Sequence, residues 1–169
     1  RMTRLVDPDL VPALALVPDL DSLSDATLSA IRESLSAPPP ALGSDGAVTV
    51  ARVEISSHAG ALVYTPDRPA AGPRPALLNI HGGGFVCCDI DTHDSICSWL
   101  AKSSQGRVLA ISYRLAPETP FPGQLEDVRA ACAWAFQNAP HLGATPEKIV
   151  LAGDSAGAYL AATAAHADF

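Results

Sequence analysis

Apolar residues fall into distinct textures along this chain. Leu28, Ile31 and Leu35 recur at helical spacing within residues 22–37, behind Ser22 or Ser24 as candidate N-caps and ahead of three prolines at 38–40. That pattern predicts an amphipathic helix whose apolar face lies on a neighbour. "VTVARVEI" at 48–55 then alternates in the manner of a half-buried strand, and "ALVYT" at 61–65 follows the turn residues "SSHAG". These two runs predict an antiparallel pair. From Pro75 onward the apolar runs become short and unbroken: "ALLNI" at 76–80, "RVLAISY" at 107–113 and "KIVLAG" at 148–153. Buried parallel strands have this texture.

Helical patterns separate those runs. Ile96, Cys97 and Leu100 mark one helix after "DTHD", and Leu125, Val128, Cys132 and Phe136 mark another that ends near 138–140. Strand, helix and strand in repetition predict a right-handed βαβ sheet. "ALGSDGA" at 41–47 is a linker, which divides the chain into an N-terminal helical segment, 1–45, and a core, 46–169.

Composition narrows the classes. With 169 residues, 48% apolar and 17% charged, the chain is long enough for one buried core and too apolar for disorder. A formal charge of −7 argues against binding a polyanion such as nucleic acid. "VPALALV" at 11–17 is short, interrupted by Pro12 and without a small-residue cleavage site, so a soluble, unexported, cytoplasmic protein with no membrane span is expected. Arg1 ahead of Met2 has the look of a processing remnant. Cys87, Cys88, Cys97 and Cys132 show no zinc-like spacing with one another or with histidine, so no metal is expected and core thiols in a reducing compartment are preferred. Cys87 and Cys88 follow a glycine loop, where lining a pocket is the alternative to filling the core.

Two stretches carry candidate chemistry. "GDSAG" at 153–157 has the form G-x-S-x-G, follows an apolar strand and opens an alanine-rich helix. A nucleophile elbow needs that strand-to-helix setting, with small residues around Ser155 and the helix N-terminus favouring negative charge beside it. A serine N-cap is the competing reading. "NIHGGGF" at 79–85 also ends a strand, and its successive glycines let backbone N–H groups approach a ligand. Together with the amide of Ala156, two such donors would hold an oxyanion. Glycine loop and elbow, in this order and each at a strand end, point to acyl transfer through serine.

"HGGGF" at 81–85, "YRLAPETPFP" at 113–122 with "EDV" at 126–128, and "GDSAG" resemble the landmark stretches of the hormone-sensitive-lipase-like carboxylesterases. The resemblance covers nearly the whole chain. It implies an α/β-hydrolase fold, a mostly parallel sheet with flanking helices, to which the N-terminal segment adds part of a cap. It further implies hydrolysis of short- to medium-chain acyl esters through an acyl-serine, with no cofactor. Carried across, Ser155 becomes the nucleophile, and Gly83, Gly84 and Ala156 supply the oxyanion amides. His81 organises the loop, with Gly82, Asp154 and Glu118 in support. Departures from the family pattern stand at Cys88, where glycine is frequent, and at Ala158-Tyr159, where Gly-Asn is common.

The family's triad acid and histidine follow the serine far downstream, and only 14 residues follow Ser155 here. His166, with Asp168 nearby, lies about 16 Å along the helix that the elbow starts, beyond contact. His58, His93 and His141 fall in a turn, at a helix start and in a loop, which predicts surface or capping roles. An apolar parallel edge at 148–153 also predicts further strands. A C-terminal half, as further sequence or a second chain, is therefore the expected partner. The alternatives left open are a non-catalytic binding protein or receptor on the same scaffold, and hydrolysis of lactones or amides.

Overall fold

The computed structural model describes residues 7–14, 24–35, 47–68 and 71–166. Ser22, the prolines at 38–40, nearly all of the linker and Asp168 lie outside the described residues. A helical turn at Pro8–Leu10 runs into α1, Val11–Leu14. Then come α2 (Asp25–Leu35), β1 (Val48–Glu54), β2 (Gly60–Pro66), β3 (Ala76–Ile80), α3 (Asp94–Ser104), β4 (Val108–Ser112), α4 (Gly123–Gln137), β5 (Ile149–Gly153) and α5 (Ala156–Ala164). None of the described helices is long and apolar enough to cross a membrane.

The strands form one sheet in the order β1-β2-β4-β3-β5. β1 pairs antiparallel with β2, with Ala51 opposite Val63, as the alternating runs predict. β2 pairs antiparallel with β4, while β3 lies parallel between β4 and β5. Successive side chains on a strand point to opposite faces, and β4 separates the core accordingly. Leu109 and Ile111 join Leu78 and Ile80 in a cluster with α4 and α5, to which Val128, Cys132 and Leu160 contribute. Val108 and Ala110 face the other way, onto Cys97 and Ala101 of α3. Each large side chain buried in this way contributes about 1.5–3 kcal/mol.

Three details depart from the sequence pattern. α3 turns Ser95, Cys97 and Ala101 inward and leaves Ile96 and Trp99 exposed, because small residues let the helix settle close to the sheet. β5 is only partly buried, with Val150 exposed, because among the described residues it has one neighbouring strand.

The third concerns α2, which buries Leu28 but leaves Leu35 exposed. Ser24 is its cap, accepting from the Thr27 amide at 3.2 Å. Arg32 supplies much of its anchorage. Its Nε donates to the Val86 carbonyl at 2.6 Å, and its Nη2 to the Ala116 carbonyl at 2.9 Å. The guanidinium also makes a forked pair with Glu118, at 2.7 and 2.9 Å. Arg32 thereby holds the Glu118 carboxyl down at about 2. A depressed carboxyl pKa stabilises the docked helix above the unfolded value and loses that contribution as pH falls toward the folded one. Removing Arg32 breaks four hydrogen bonds at once. Arg32→Ala is expected to undock α2, read as faster amide exchange across 25–35 with exchange in β3 and β4 unchanged. In the native chain the same loss should appear only as pH drops from about 4.5 toward 2.

Candidate active site

β3 and β5 lie side by side and parallel, with Ile80 opposite Gly153. The loops that leave their C-terminal ends, 81–85 and 153–157, therefore start as neighbours. Such strand ends are where open α/β sheets bind ligands. Two glycines make the junction possible. A Cβ at Gly153 would stand 2.6 Å from the Ile80 carbonyl oxygen, and one at Gly157 would fall on that same oxygen.

Ser155 occupies the sharp turn between β5 and α5, with φ 49° and ψ −119°. A residue other than glycine held there stores about 1–3 kcal/mol of strain. Main-chain bonds close the turn, Gly157 N–H donating to the Asp154 carbonyl at 2.8 Å and Tyr159 N–H to that of Ser155 at 3.2 Å. Ser155 sits at the N-cap position of α5 but makes no side-chain capping bond. It is exposed to a cleft instead, so the N-cap reading fails on the one contact it requires.

The glycine loop turns as tightly. Gly83 and Gly84 have φ of 110° and 61°, and the Gly83 carbonyl accepts from the amides of Val86 and Cys87, each at 3.0 Å. The Cys87 thiol adds a third bond to that carbonyl at 3.0 Å. Among the described residues, the amides of Gly83, Gly84 and Ala156 donate to no acceptor. Ala156 opens α5, whose dipole favours negative charge at the same end.

A polar layer beneath holds the two loops together. Asp154 Oδ1 accepts from the Gly82 amide at 3.1 Å and meets His93 Nε2 at 3.1 Å. A Cβ at Gly82 would strike the Asp154 carboxylate, so the residue must be glycine for this staple to form. His81 is buried against Tyr113, ring centroids 4.2 Å apart and nearly parallel. Its Nδ1 lies 2.8 Å from the Gly82 carbonyl, which only accepts, so the proton stands on Nδ1. Burial lowers the His81 pKa and keeps the ring neutral. The Tyr113 hydroxyl donates to the His81 carbonyl at 2.8 Å.

The segment after β4 completes the cleft. Arg114 grips buried Asp127 through Nε and Nη2, both at 2.8 Å, and its own amide donates to Asp127 at 2.9 Å. Ala116 and Phe121, which precede cis-Pro117 and cis-Pro122, line one part of the cleft with Gln124. Gly84 and Phe85 line another, and Ser155, Ala156, Tyr159 and Leu160 come from the elbow and α5. The volume is about 650 Å³, and among the described residues no charged side chain lines it.

Of the residues singled out in the sequence, Gly84, Ser155 and Ala156 meet at the cleft. His81, Gly82, Gly83 and Asp154 stand behind it, while Glu118 lies apart on the Arg32 pair. The expectation for His93 needs correction. Its side chain is only 18% exposed and makes no capping bond, because it reaches across to Asp154. Of the adjacent cysteines, Cys87 is buried and neither lines the cleft. Cys88 has φ 65°, a left-handed backbone that explains why glycine suits the position. Cys88→Gly is expected to stabilise the fold by about 1 kcal/mol, seen as a melting temperature higher by about 2–4 °C.

Comparison with known proteins agrees with this fold. Residues 77–168 match the α/β-hydrolase fold family. Esterase LipI of Mycobacterium tuberculosis (strain ATCC 25618 / H37Rv) is 37% identical over 163 residues, covering 95% of this chain and 51% of its own length. Carboxylic ester hydrolase LipN of the same strain is 41% identical over 117 residues, 68% of this chain and 31% of its own. Among solved structures, a bacterial heroin esterase superposes with a TM-score of 0.74 at 34% identity, over 97% of this chain and 53% of the other. The chain belongs to the α/β-hydrolase superfamily, in its hormone-sensitive-lipase-like carboxylesterase family. It spans about half the length of LipI and less of LipN.

Arg32, His93 and Tyr159 escaped sequence reasoning as parts of the site. Tyr159 alone carried a signal, as a departure from the family pattern beside the elbow; the other two act across large sequence separations.

Proposed function

We propose that this chain is the nucleophile-bearing part of a serine carboxylesterase. The observation that carries the reading is Ser155, held at strained φ with its hydroxyl unused by the helix and open to an apolar cleft. The relatives named as esterases support ester hydrolysis as the reaction class.

Ser155 Oγ attacks the ester carbonyl carbon as its proton passes to a histidine in the rest of the polypeptide. The carbonyl π pair moves onto oxygen, and the oxyanion is held by the amides of Gly83, Gly84 and Ala156. Collapse breaks the bond to the alkoxy group, which leaves as alcohol with that proton and leaves an acyl-serine. Water then attacks the acyl carbon by the same route, releasing the acid and restoring Ser155. His81, neutral and committed to the Gly82 carbonyl, shapes the oxyanion loop rather than serving as the base. Acyl chains of short to medium length and a cytoplasmic setting belong to the same proposal. The free thiols of Cys87, Cys97 and Cys132, all buried, suit a reducing compartment.

The test is labelling of the complete polypeptide with a fluorophosphonate, followed by peptide mass mapping. A single adduct on Ser155, with parallel loss of 4-nitrophenyl butyrate hydrolysis, is the expected result. Turnover that survives while Ser155 is labelled would remove the proposal. The 169-residue chain alone should show negligible turnover.

A further inference from the structure

We propose that the cleft beside Ser155 selects esters carrying an aromatic ring, with Tyr159 as the specificity-determining residue. The inference rests on the serine-esterase reading and extends it to a substrate class. Tyr159 lies four residues beyond Ser155, and residues at that spacing share one face of a helix. Its ring therefore rises from the turn that presents the nucleophile. It is 57% exposed, and Phe121 across the segment after β4 is 68% exposed. Both line the cleft, as does Phe85, which meets Tyr159 edge to face with centroids 6.0 Å apart and planes at 85°.

An apolar cleft alone would accept any greasy group. What distinguishes this one is that its large exposed walls are aromatic, and that two rings already sit in the mutual orientation their quadrupoles favour. A substrate ring can extend that arrangement by stacking or edge contact, whereas a saturated ring of the same size gains only from burial. Among the described residues the lining carries no charged side chain, which suits a neutral group. Aromatic pairing contributes about 0.5–1.5 kcal/mol beyond burial, which corresponds to a preference of about twofold to twelvefold.

The ring can belong to the alcohol or to the acyl part, and matched pairs of esters separate the two. With the complete polypeptide, kcat/KM is measured for benzyl acetate against cyclohexylmethyl acetate, and for methyl phenylacetate against methyl cyclohexylacetate. Each ratio is divided by that for hydroxide-catalysed hydrolysis. A preference of about twofold to twelvefold for the aromatic member is expected in at least one pair, and that pair shows which part of the ester enters the cleft. It should fall to near one in Tyr159→Ala and persist in Tyr159→Phe, the alanine variant melting only a few degrees lower for the lost Phe85 contact. Equal rates within both pairs would overturn the aromatic inference, as would a preference that survives in Tyr159→Ala. So would a Tyr159→Ala variant that slows both members of a pair alike, which would mean the ring serves packing on Phe85 and not the choice of substrate. Those results leave the esterase reading standing. A native protein that hydrolyses none of the esters and takes no fluorophosphonate on Ser155 would remove both.

Discussion

Ser155→Ala is expected to lower ester turnover by the complete polypeptide about 10⁴-fold or more, because removing the nucleophile leaves only binding and the oxyanion amides. The fold should not suffer. Alanine meets the same backbone constraint at φ 49°, and the hydroxyl makes no capping bond whose loss would cost stability. Ser155→Gly separates chemistry from strain. Glycine occupies positive φ without penalty, so this variant should be equally inactive yet more stable than native by about 1–3 kcal/mol. Thermal melting beside 4-nitrophenyl butyrate kinetics reads both quantities. A glycine variant no more stable than native would show that the turn stores no strain. Residual activity in Ser155→Ala within tenfold of native would remove Ser155 from the mechanism.

The strands and the two loops were legible in the sequence because each depends on local pattern. Unbroken apolar runs at 76–80 and 107–113 read as buried strands, and the small residues flanking Ser155 read as a tight turn. Both follow from forces acting within a few residues. Sequence separation limited the rest. Arg32 and Glu118 are 86 positions apart, and His93 and Asp154 are 61 apart, so their pairing exists only once strand order has brought the segments together. The local pattern misplaces His93 for that reason, since a histidine at a helix start has a local role available and nothing local marks Asp154 as its partner. Ile96 failed differently. The 3.6-residue period gives a helix but does not choose between faces, and α3 used Cys97 and Ala101 because closeness to the sheet favoured small side chains. Tyr159 was visible as an unusual residue, but its position in the cleft depends on how α5 leaves the elbow.

Gly157→Ala should be among the most damaging single methyl groups in the described chain. The elbow requires α5 to start directly over β3, and the added carbon would fall on the carbonyl oxygen of Ile80, with the His81 carbonyl oxygen 2.6 Å away. Both obstacles are backbone, held by the β3 ladder and by the Tyr113 hydroxyl on His81, so neither can swing aside as a side-chain tip would. Overpacking of this kind costs about 3 kcal/mol, which in a chain of this size lowers the melting temperature by about 6–12 °C. Relief can come only by lifting α5 from the sheet, and that moves Ser155 and the Ala156 amide away from Gly83 and Gly84. Activity and stability should therefore fall together in Gly157→Ala. Gly84→Ala provides the contrast. A Cβ there meets nothing closer than 3.8 Å, so only its φ of 61° resists, at about 1 kcal/mol. A Gly157→Ala protein that melts within about 2 °C of native would show that strand and helix are not in contact at the elbow, and the close approach that aims Ser155 at the glycine loop would have to be abandoned.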